Sequence, residues 1–139
     1  MFIKAITSSG LADISSTSAT TFLETDEIIL TNKVYDGKEL SLKVDIKGST
    51  ASGQLTLYPL LSNLSGGTFQ TIVTGSGVST LIVGGTSVSG PSANGSYYIP
   101  LTIVTAVGVT ERLKTVPYIK FGHRGFQNAI DWTGSLCVG

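Results

Sequence analysis

Apolar and polar residues alternate without interruption over residues 40–46, where the chain reads LSLKVDI. Successive side chains of a β-strand point to opposite faces of a sheet, so this period of two predicts a strand with one buried face. The leucine, valine and isoleucine side chains of this segment are expected to pack in a core. Its serine, lysine and aspartate are expected to face water or a neighbouring molecule.

A turn signal lies just ahead of this strand. Asp36-Gly37 separates it from an apolar segment that covers residues 28–35. The Asp-Gly pair tolerates the positive backbone φ that a two-residue hairpin turn requires. The sequence therefore predicts a β-hairpin formed by residues 28–35 and 40–46.

Two further predicted strands contain a proline. Proline cannot donate a ladder hydrogen bond, so Pro59 within GQLTLYPLLS predicts an edge position, a bulge or the end of a strand. The longest apolar run, SYYIPLTIVTAVG at residues 96–108, has apolar residues on both parities. This pattern predicts a central strand that is covered on both faces.

The chain as a whole lacks helix-period patterns and is rich in Val, Ile, Thr and Tyr. Its 17 glycines recur at intervals typical of short strands joined by tight turns. We expect an all-β fold of about eight or nine strands, arranged as an antiparallel two-sheet β-sandwich or jelly roll. A length of 139 residues suits a single domain, residues 1–139, with one core.

Two polar stretches interrupt the pattern of strands. Residues 7–21 read TSSGLADISSTSATT and offer little apolar surface for burial, so a polar N-terminal arm or long loop is expected there. Residues 84–96, GGTSVSGPSANGS, form a second expected loop. Loops of this length in a compact domain are usually functional or are ordered by a partner.

Composition argues against several classes of protein. Nine basic and nine acidic residues give a formal net charge of +0, whereas binding to a nucleic-acid backbone needs clustered cations. We therefore expect no nucleic-acid partner, and near-neutrality favours association between copies of the chain. The single cysteine allows no intrachain disulfide. The chain lacks an apolar run long enough for a membrane span, so we expect no membrane partner. We expect the protein to be synthesised in a cytoplasm.

Residues able to carry out catalysis are sparse. His123, the one histidine, lies at the end of a predicted strand beside Arg124. A general base needs an orienting carboxylate and a nucleophile nearby, and only Asp131 is close in sequence. We therefore expect a histidine in a loop or an interface, and a protein that is not an enzyme.

Metal-binding patterns are equally weak. One histidine and one cysteine cannot furnish a structural zinc site. The acidic residues Glu24, Asp26 and Glu27 lack the spacing of a calcium-binding loop, so a solvated acidic patch is the favoured interpretation. Neither a metal nor another cofactor is expected.

Aromatic residues supply the main alternative function. An exposed platform drawn from Tyr97, Tyr98, Phe121, Phe126 and Trp132 would stack sugars, as many β-sandwich modules do. Core packing is the simpler interpretation, because Trp and Phe are usually buried and two adjacent tyrosines on a strand point to opposite faces. The candidate contacts with a partner or a glycan are Tyr98, Phe126, Trp132, His123 and Arg124.

The segment VDIKGSTASGQLTLYPLLSNLSGGTFQTIVT, followed later by YYIPLTI, is similar to the small β-sandwich virion proteins of tailed bacteriophages. The similarity covers residues 44–119 and consists of turn and strand composition. It implies a multicopy structural protein, often trimeric, that is synthesised in the host cytoplasm and sits on a virion. No catalytic residue is implied by the resemblance.

The leading hypothesis is a capsid decoration, or cement, protein that binds the major capsid protein lattice or other virion proteins and stabilises the assembled phage head. Near-neutral charge, proline-bearing strands and polar arms favour completion by neighbouring subunits. One alternative is a carbohydrate-binding or receptor-binding module of a tail or head fibre. Another is a component of the tail tube, the baseplate or the head-completion apparatus.

Overall fold

A computed structural model describes residues 2–17, 22–48, 54–62, 70–71, 73–74, 77–78, 81–83, 95–104, 110–126 and 129–138. Apart from one 3₁₀ helix, Lys33–Tyr35, the regular structure of these residues consists of antiparallel strands. The prediction of an all-β, antiparallel fold with two main sheets is confirmed. Within these ranges, no helix is long and apolar enough to cross a membrane.

Fifteen strands are present in the described part of the chain. This number exceeds the expected one because five of the strands are only two residues long. In chain order they are β1 Phe2–Ile6, β2 Ile14–Ser16, β3 Leu23–Glu24, β4 Ile28–Ile29, β5 Leu40–Gly48, β6 Gln54–Ser62, β7 Gln70–Thr71, β8 Val73–Thr74, β9 Gly77–Val78, β10 Leu81–Val83, β11 Gly95–Pro100, β12 Thr102–Val104, β13 Thr110–Arg112, β14 Tyr118–Phe126 and β15 Ile130–Val138.

The first sheet has the strand order β1-β15-β5-β11. Strand β2 pairs with residues 130–132 of β15, ahead of the part of β15 that pairs with β1. The second sheet has the order β10-β6-β14-β3, with β4 also paired to β14 and β7 to β6. Two further pairs, β12 with β13 and β8 with β9, stand outside these sheets.

One hydrophobic cluster contains buried residues of both sheets. The first sheet contributes Ile6, Ile14, Leu40, Leu42, Val44, Ile46, Ile130, Trp132, Leu136 and Val138. The second sheet contributes Ile28, Leu55, Leu57, Ile119 and Phe121. Since full burial of one such side chain stabilises the fold by about 1.5–3 kcal/mol, this shared cluster is the main stabilising feature of the described chain.

The strand predicted over residues 40–46 is present, and its apolar side chains lie on one buried face. Strand β5 lies between β15 and β11, and its four apolar side chains are all buried. The intervening Ser41, Lys43 and Asp45 are only half-buried, on the opposite face. A slip of one residue would bring the polar side chains into the core, so the pattern fixes the register of the strand.

The predicted hairpin of residues 28–35 and 40–46 is wrong. Only Ile28–Ile29 is a strand, and it pairs with β14. The side chain of Asn32 accepts a hydrogen bond from the amide of Val34 at 3.0 Å and caps the 3₁₀ helix. The predicted turn does form: Gly37 has a φ of 70°, and the amide of Lys38 donates to the carbonyl of Tyr35 at 3.0 Å. The asparagine cap redirects the chain before a paired strand is possible.

The two proline-bearing segments differ in outcome. Pro59 pairs with Phe121 of β14, and on the other side of β6 it falls between the residues paired with β10 and those paired with β7. It therefore occupies an edge-like gap within the described residues, as predicted. As far as it is described, to residue 104, the long apolar run of residues 96–108 does not form the predicted central strand. Its first part belongs to β11, which pairs with β5 alone among the described strands, and the chain then leaves the sheet for β12.

The N-terminal polar stretch is part of the folded chain as far as it is described. Residues 14–16 form β2 against β15, and both Ile14 and Ser16 are buried. The amide of Gly125 donates to the carbonyl of Thr17 at 3.0 Å, which links this stretch to the second sheet. Residues 14–17 are therefore joined to both sheets, while the polar arm or long loop expected over residues 7–21 stays a prediction. Residues 18–21 of this stretch, and residues 84–94 of the second expected loop, lie outside the described residues.

Candidate functional site

The first sheet carries a polar face directed away from the core, which we call the outer face. Its side chains form cross-strand rows because the register places outward residues of β11, β5 and β15 opposite each other. One row contains Tyr98, Lys43 and Ser135. The next contains Ser96, Asp45 and Thr133.

Tyr98 is the most prominent residue of the outer face. Its residue exposure is 71%, the largest among the exposed large hydrophobic residues of the described chain. The Nζ atom of Lys43 lies 5.9 Å from the centroid of its ring, within the range of a cation–π contact. Beside this pair, the hydroxyl of Ser96 donates a hydrogen bond to the carboxylate of Asp45. An aromatic ring is thus held among charged and hydroxyl groups at the edge of the sheet.

A polar depression lies at another end of the first sheet. It has a volume of about 400 Å³ and is lined by Asp13, Ile14, Ser15, Lys47, Asp131 and Trp132. The Nζ atom of Lys47 lies 3.2 Å from a carboxylate oxygen of Asp13, and their side chains are 59% and 86% exposed. Exposed ion pairs of this kind contribute at most about 1 kcal/mol, so the contact is easily exchanged for another.

Beneath this depression, three polar side chains meet in the core. The hydroxyl of Ser16 accepts a hydrogen bond from Nε1 of Trp132 at 2.7 Å, and it lies 2.7 Å from Nδ1 of His123. The rings of His123 and Trp132 meet edge to face with centroids 5.7 Å apart. We call these residues the Ser16 cluster. Burial lowers the pKa of His123 to about 4, because a charged imidazole would lose its hydration there.

A serine within hydrogen-bonding distance of a histidine is also the arrangement of an activated nucleophile. Here Ser16 is fully buried and His123 is 1% exposed. The serine hydroxyl also accepts the indole N–H of Trp132. A substrate has no access to this hydroxyl, so the geometry assigns the cluster to the core and not to catalysis.

His123 and Arg124 are not brought together as a surface pair. His123 points into the core, so the expectation of a loop or interface histidine is wrong. Arg124, the next residue on the strand, is half-buried, and its guanidinium lies 4.7 Å from the centroid of the Phe22 ring. Adjacent residues of a strand face opposite ways, so these two cannot share one binding surface.

The proposed aromatic platform is not assembled by the described residues. Trp132 and Phe121 are buried at 1% and 0% exposure, and Tyr97 is partly buried against the core. Phe126 pairs with Gln54 at the end of β14, but its side chain lies outside what the structure describes. Tyr98 is therefore the aromatic candidate whose ring is exposed, whereas the ring of Trp132 is packed in the core and cannot stack on a sugar.

Two residues of the acidic group Glu24, Asp26 and Glu27 make contacts that stabilise the fold. The carboxylate of Asp26 accepts hydrogen bonds from the amide of Gly10 at 2.8 Å, the hydroxyl of Thr7 at 2.7 Å and the amide of Ser9 at 3.0 Å. These bonds, that from Gly10 above all, lower the pKa of Asp26. Glu24 instead pairs with Lys120 at 2.9 Å. Asp26 and Glu24 thus make two separate contacts, and the described residues contain no group of three potential metal ligands.

Neither the polar depression nor the Ser16 cluster was found from the sequence. Both bring together residues from β2, from β15 and from a third strand, which is β5 for the depression and β14 for the cluster. A scan against protein-family models and a search of curated proteins find no match to the chain. The function is therefore argued from the geometry of these surfaces.

Proposed function

We propose that this chain is a nonenzymatic virion structural protein, a capsid decoration protein that binds an assembled phage head and stabilises it. In this proposal the two main sheets face each other as layers of a β-sandwich or jelly roll. The single hydrophobic cluster that both sheets share supports this arrangement. The resemblance of residues 44–119 to small phage virion proteins supports the assignment to a virion.

The observation that carries the proposal is the position of β11 together with the exposure of Tyr98. Among the described strands β11 pairs only with β5 and ends the order of the first sheet. The terminal strand of a sheet is where a partner can add a strand, and the exposed ring of Tyr98 on β11 offers apolar contact area. Aromatic residues are enriched at the energetically dominant points of protein interfaces.

The proposed partner is the major capsid protein lattice or another virion protein. A lattice subunit would add a strand along β11 and cover Tyr98, while Lys43 and Asp45 on the neighbouring strand would set the orientation through charge. The near-neutral chain has little electrostatic repulsion between copies. We propose a homo-oligomer, with a trimer favoured by the family resemblance.

The test compares phage heads with and without bound protein. Heads carrying the wild-type chain are expected to break at a higher temperature than bare heads, and Tyr98→Asp is expected to abolish binding in a co-sedimentation assay. Leu11→Asp is the matched control, because Leu11 is also a highly exposed apolar residue, at 66%, but lies in a turn closed by backbone hydrogen bonds to Ser8 and belongs to neither β11 nor its partner strand β5.

Equal stability of bare and decorated heads would contradict the proposed role. Binding that survives Tyr98→Asp, or that Leu11→Asp also abolishes, would contradict the assignment to β11. Native mass spectrometry across a dilution series tests the oligomer: a constant trimer supports it. Larger closed rings would favour a tail tube, baseplate or head-completion component instead.

A further inference from the structure

The polar depression of the first sheet is distinct from the surface around Tyr98. Lys47 follows Lys43 by four residues along β5, a separation of about 13 Å at the usual strand rise. The remaining lining residues come from β2, from β15 and from the residue before β2. Binding at this place would therefore be separate from the contact proposed for β11.

A local irregularity of the sheet forms this depression. Trp132 pairs with Ile46, but the preceding Asp131 pairs with Gly48, so Lys47 has no opposite residue in β15. Such a bulge turns a side chain away from its regular direction and is common beside binding sites. On the other side of β15, Ser15 pairs with Asp131. The bulge thus places an ammonium group near a carboxylate and a hydroxyl across neighbouring strands.

The depression lies over a tightly packed part of the core. Ile14 and Trp132 are among its lining residues, but they are 3% and 1% exposed, so their side chains lie in the core and not on the surface that a ligand would meet. The indole of Trp132 is held by its hydrogen bond to Ser16, and added bulk at Gly134 would collide with the ring. A site whose supporting side chains are fixed loses little entropy when a ligand binds.

The rim combines groups that accept hydrogen bonds with groups that donate them. Asp13 and Asp131 supply carboxylate acceptors, Lys47 supplies an ammonium donor, and Ser15 supplies a hydroxyl that does either. Neighbouring hydroxyls of a sugar need this mixture, since each hydroxyl both donates and accepts. The two carboxylates exceed the single ammonium by one negative charge. A volume of about 400 Å³ lies within the usual range of small-molecule sites.

We propose that the polar depression binds a single saccharide unit through its hydroxyl groups, with an amino sugar favoured over a neutral sugar and an acidic sugar disfavoured. Asp131 accepts from the sugar, and Lys47 turns from Asp13 to donate to it. This inference does not depend on the decoration role, because it uses neither Tyr98 nor the edge of β11.

The test titrates the full chain, labelled with nitrogen-15, with glucosamine, glucose and glucuronate, and follows the amide resonances. We expect shifts confined to residues 13–15, 47 and 131–132, with affinity decreasing in the order given. Absence of these shifts with all three sugars would overturn the proposal. Tightest binding of glucuronate would overturn it as well.

Two variants with the same change of charge locate the site. Asp131→Asn is expected to weaken glucosamine binding about tenfold, as expected for loss of a hydrogen bond to a charged group. Asp36→Asn, in the turn before β5, removes the same charge elsewhere and is expected to leave the affinity unchanged. Equal affinity of both variants, whether reduced or not, would overturn the assignment to the depression. Unchanged resonances outside the site show that Asp131→Asn remains folded.

Discussion

The hydroxyl oxygen of Ser16 lies 2.7 Å from Nδ1 of His123, although the two residues are 107 positions apart in the chain. Ser16 belongs to β2 of the first sheet and His123 to β14 of the second. Trp132 donates to the same hydroxyl from β15. One serine side chain thus joins both sheets inside the core.

Removal of this hydroxyl is expected to destabilise the protein strongly. Ser16→Ala leaves the indole N–H of Trp132 and the Nδ1 atom of His123 buried without their partner, which costs about 2–4 kcal/mol in the free energy of unfolding. Chemical denaturation followed by the fluorescence of the single tryptophan measures this loss. Ser15→Ala is the matched control: Ser15 is exposed, so its change is expected to stay below about 0.5 kcal/mol. Equal stability of the two variants would show that the Ser16 cluster contributes nothing.

The buried histidine makes stability depend on pH. The pKa of His123 is about 4 in the folded chain, compared with 6.5 for an unperturbed histidine. Above about pH 6.5 the imidazole of His123 is neutral in both the folded and the unfolded chain, so it does not make stability depend on pH. Between pH 6.5 and 4 the unfolded chain binds a proton that the folded chain does not, so stability falls as the pH falls. The loss reaches its full size below pH 4 and amounts to about 3 kcal/mol.

The histidine contribution is measured as a difference between two proteins. His123→Asn lacks the titrating ring, so the slope of its unfolding free energy between pH 6.5 and 4 is expected to be smaller than that of the wild type. Both proteins keep the same carboxylates, which removes their effect from the comparison. Parallel pH profiles over this window would mean that His123 is already protonated in the fold.

Asp26 also makes the free energy of unfolding depend on pH, but in a lower pH range than His123 and through a stabilising charged form. Its pKa is below the usual 3.8, because the amide of Gly10 and the hydroxyl of Thr7 donate to the charged carboxylate. The stabilisation is fully present above about pH 4 and disappears as the pH falls through the lowered pKa. Asp26→Asn is therefore expected to be less stable than the wild type at pH 7, and the difference between the two is expected to shrink as the pH falls below 4 towards pH 2. A constant difference at both pH values, measured by urea denaturation, would assign the effect to shape and not to charge.

How much of the fold could be predicted from the sequence differs from segment to segment. The predicted strand over residues 40–46 is confirmed, because the alternation of apolar and polar side chains is itself the cause of their burial on one face. The hairpin failed because Asn32 caps a short helix through a contact to Val34 that the apolar pattern does not reveal. The structure of residues 7–17 could not be predicted locally, because it depends on contacts with Asp26 and with β15, which lie elsewhere in the sequence.

The candidate sites were less predictable than the fold. Trp132 and Tyr98 are both aromatic residues in strands, and the local sequence does not say which of them faces the core. The polar depression exists because β5 is shifted against β15 at Lys47, a property of two strands more than 80 residues apart that no local motif records. Its lining follows from that register and from the pairing of β2 with β15.

Packing around Trp132 provides a further test of the first sheet. Gly134 lies two residues after Trp132 on the same face of β15, and a Cβ atom there would approach Cζ3 of the indole to 2.8 Å and Cδ1 of Ile6 to 3.1 Å. Gly134→Ala is therefore expected to displace the ring and to destabilise the protein by about 1–3 kcal/mol, the usual cost of overpacking. Ser135→Ala, on the opposite face of the strand, is the control, with an expected change below about 0.5 kcal/mol. Thermal unfolding measures stability, and the tryptophan emission maximum reports ring exposure. An unchanged midpoint and emission for Gly134→Ala would mean that the ring has room to move, and that glycine is not required beside it.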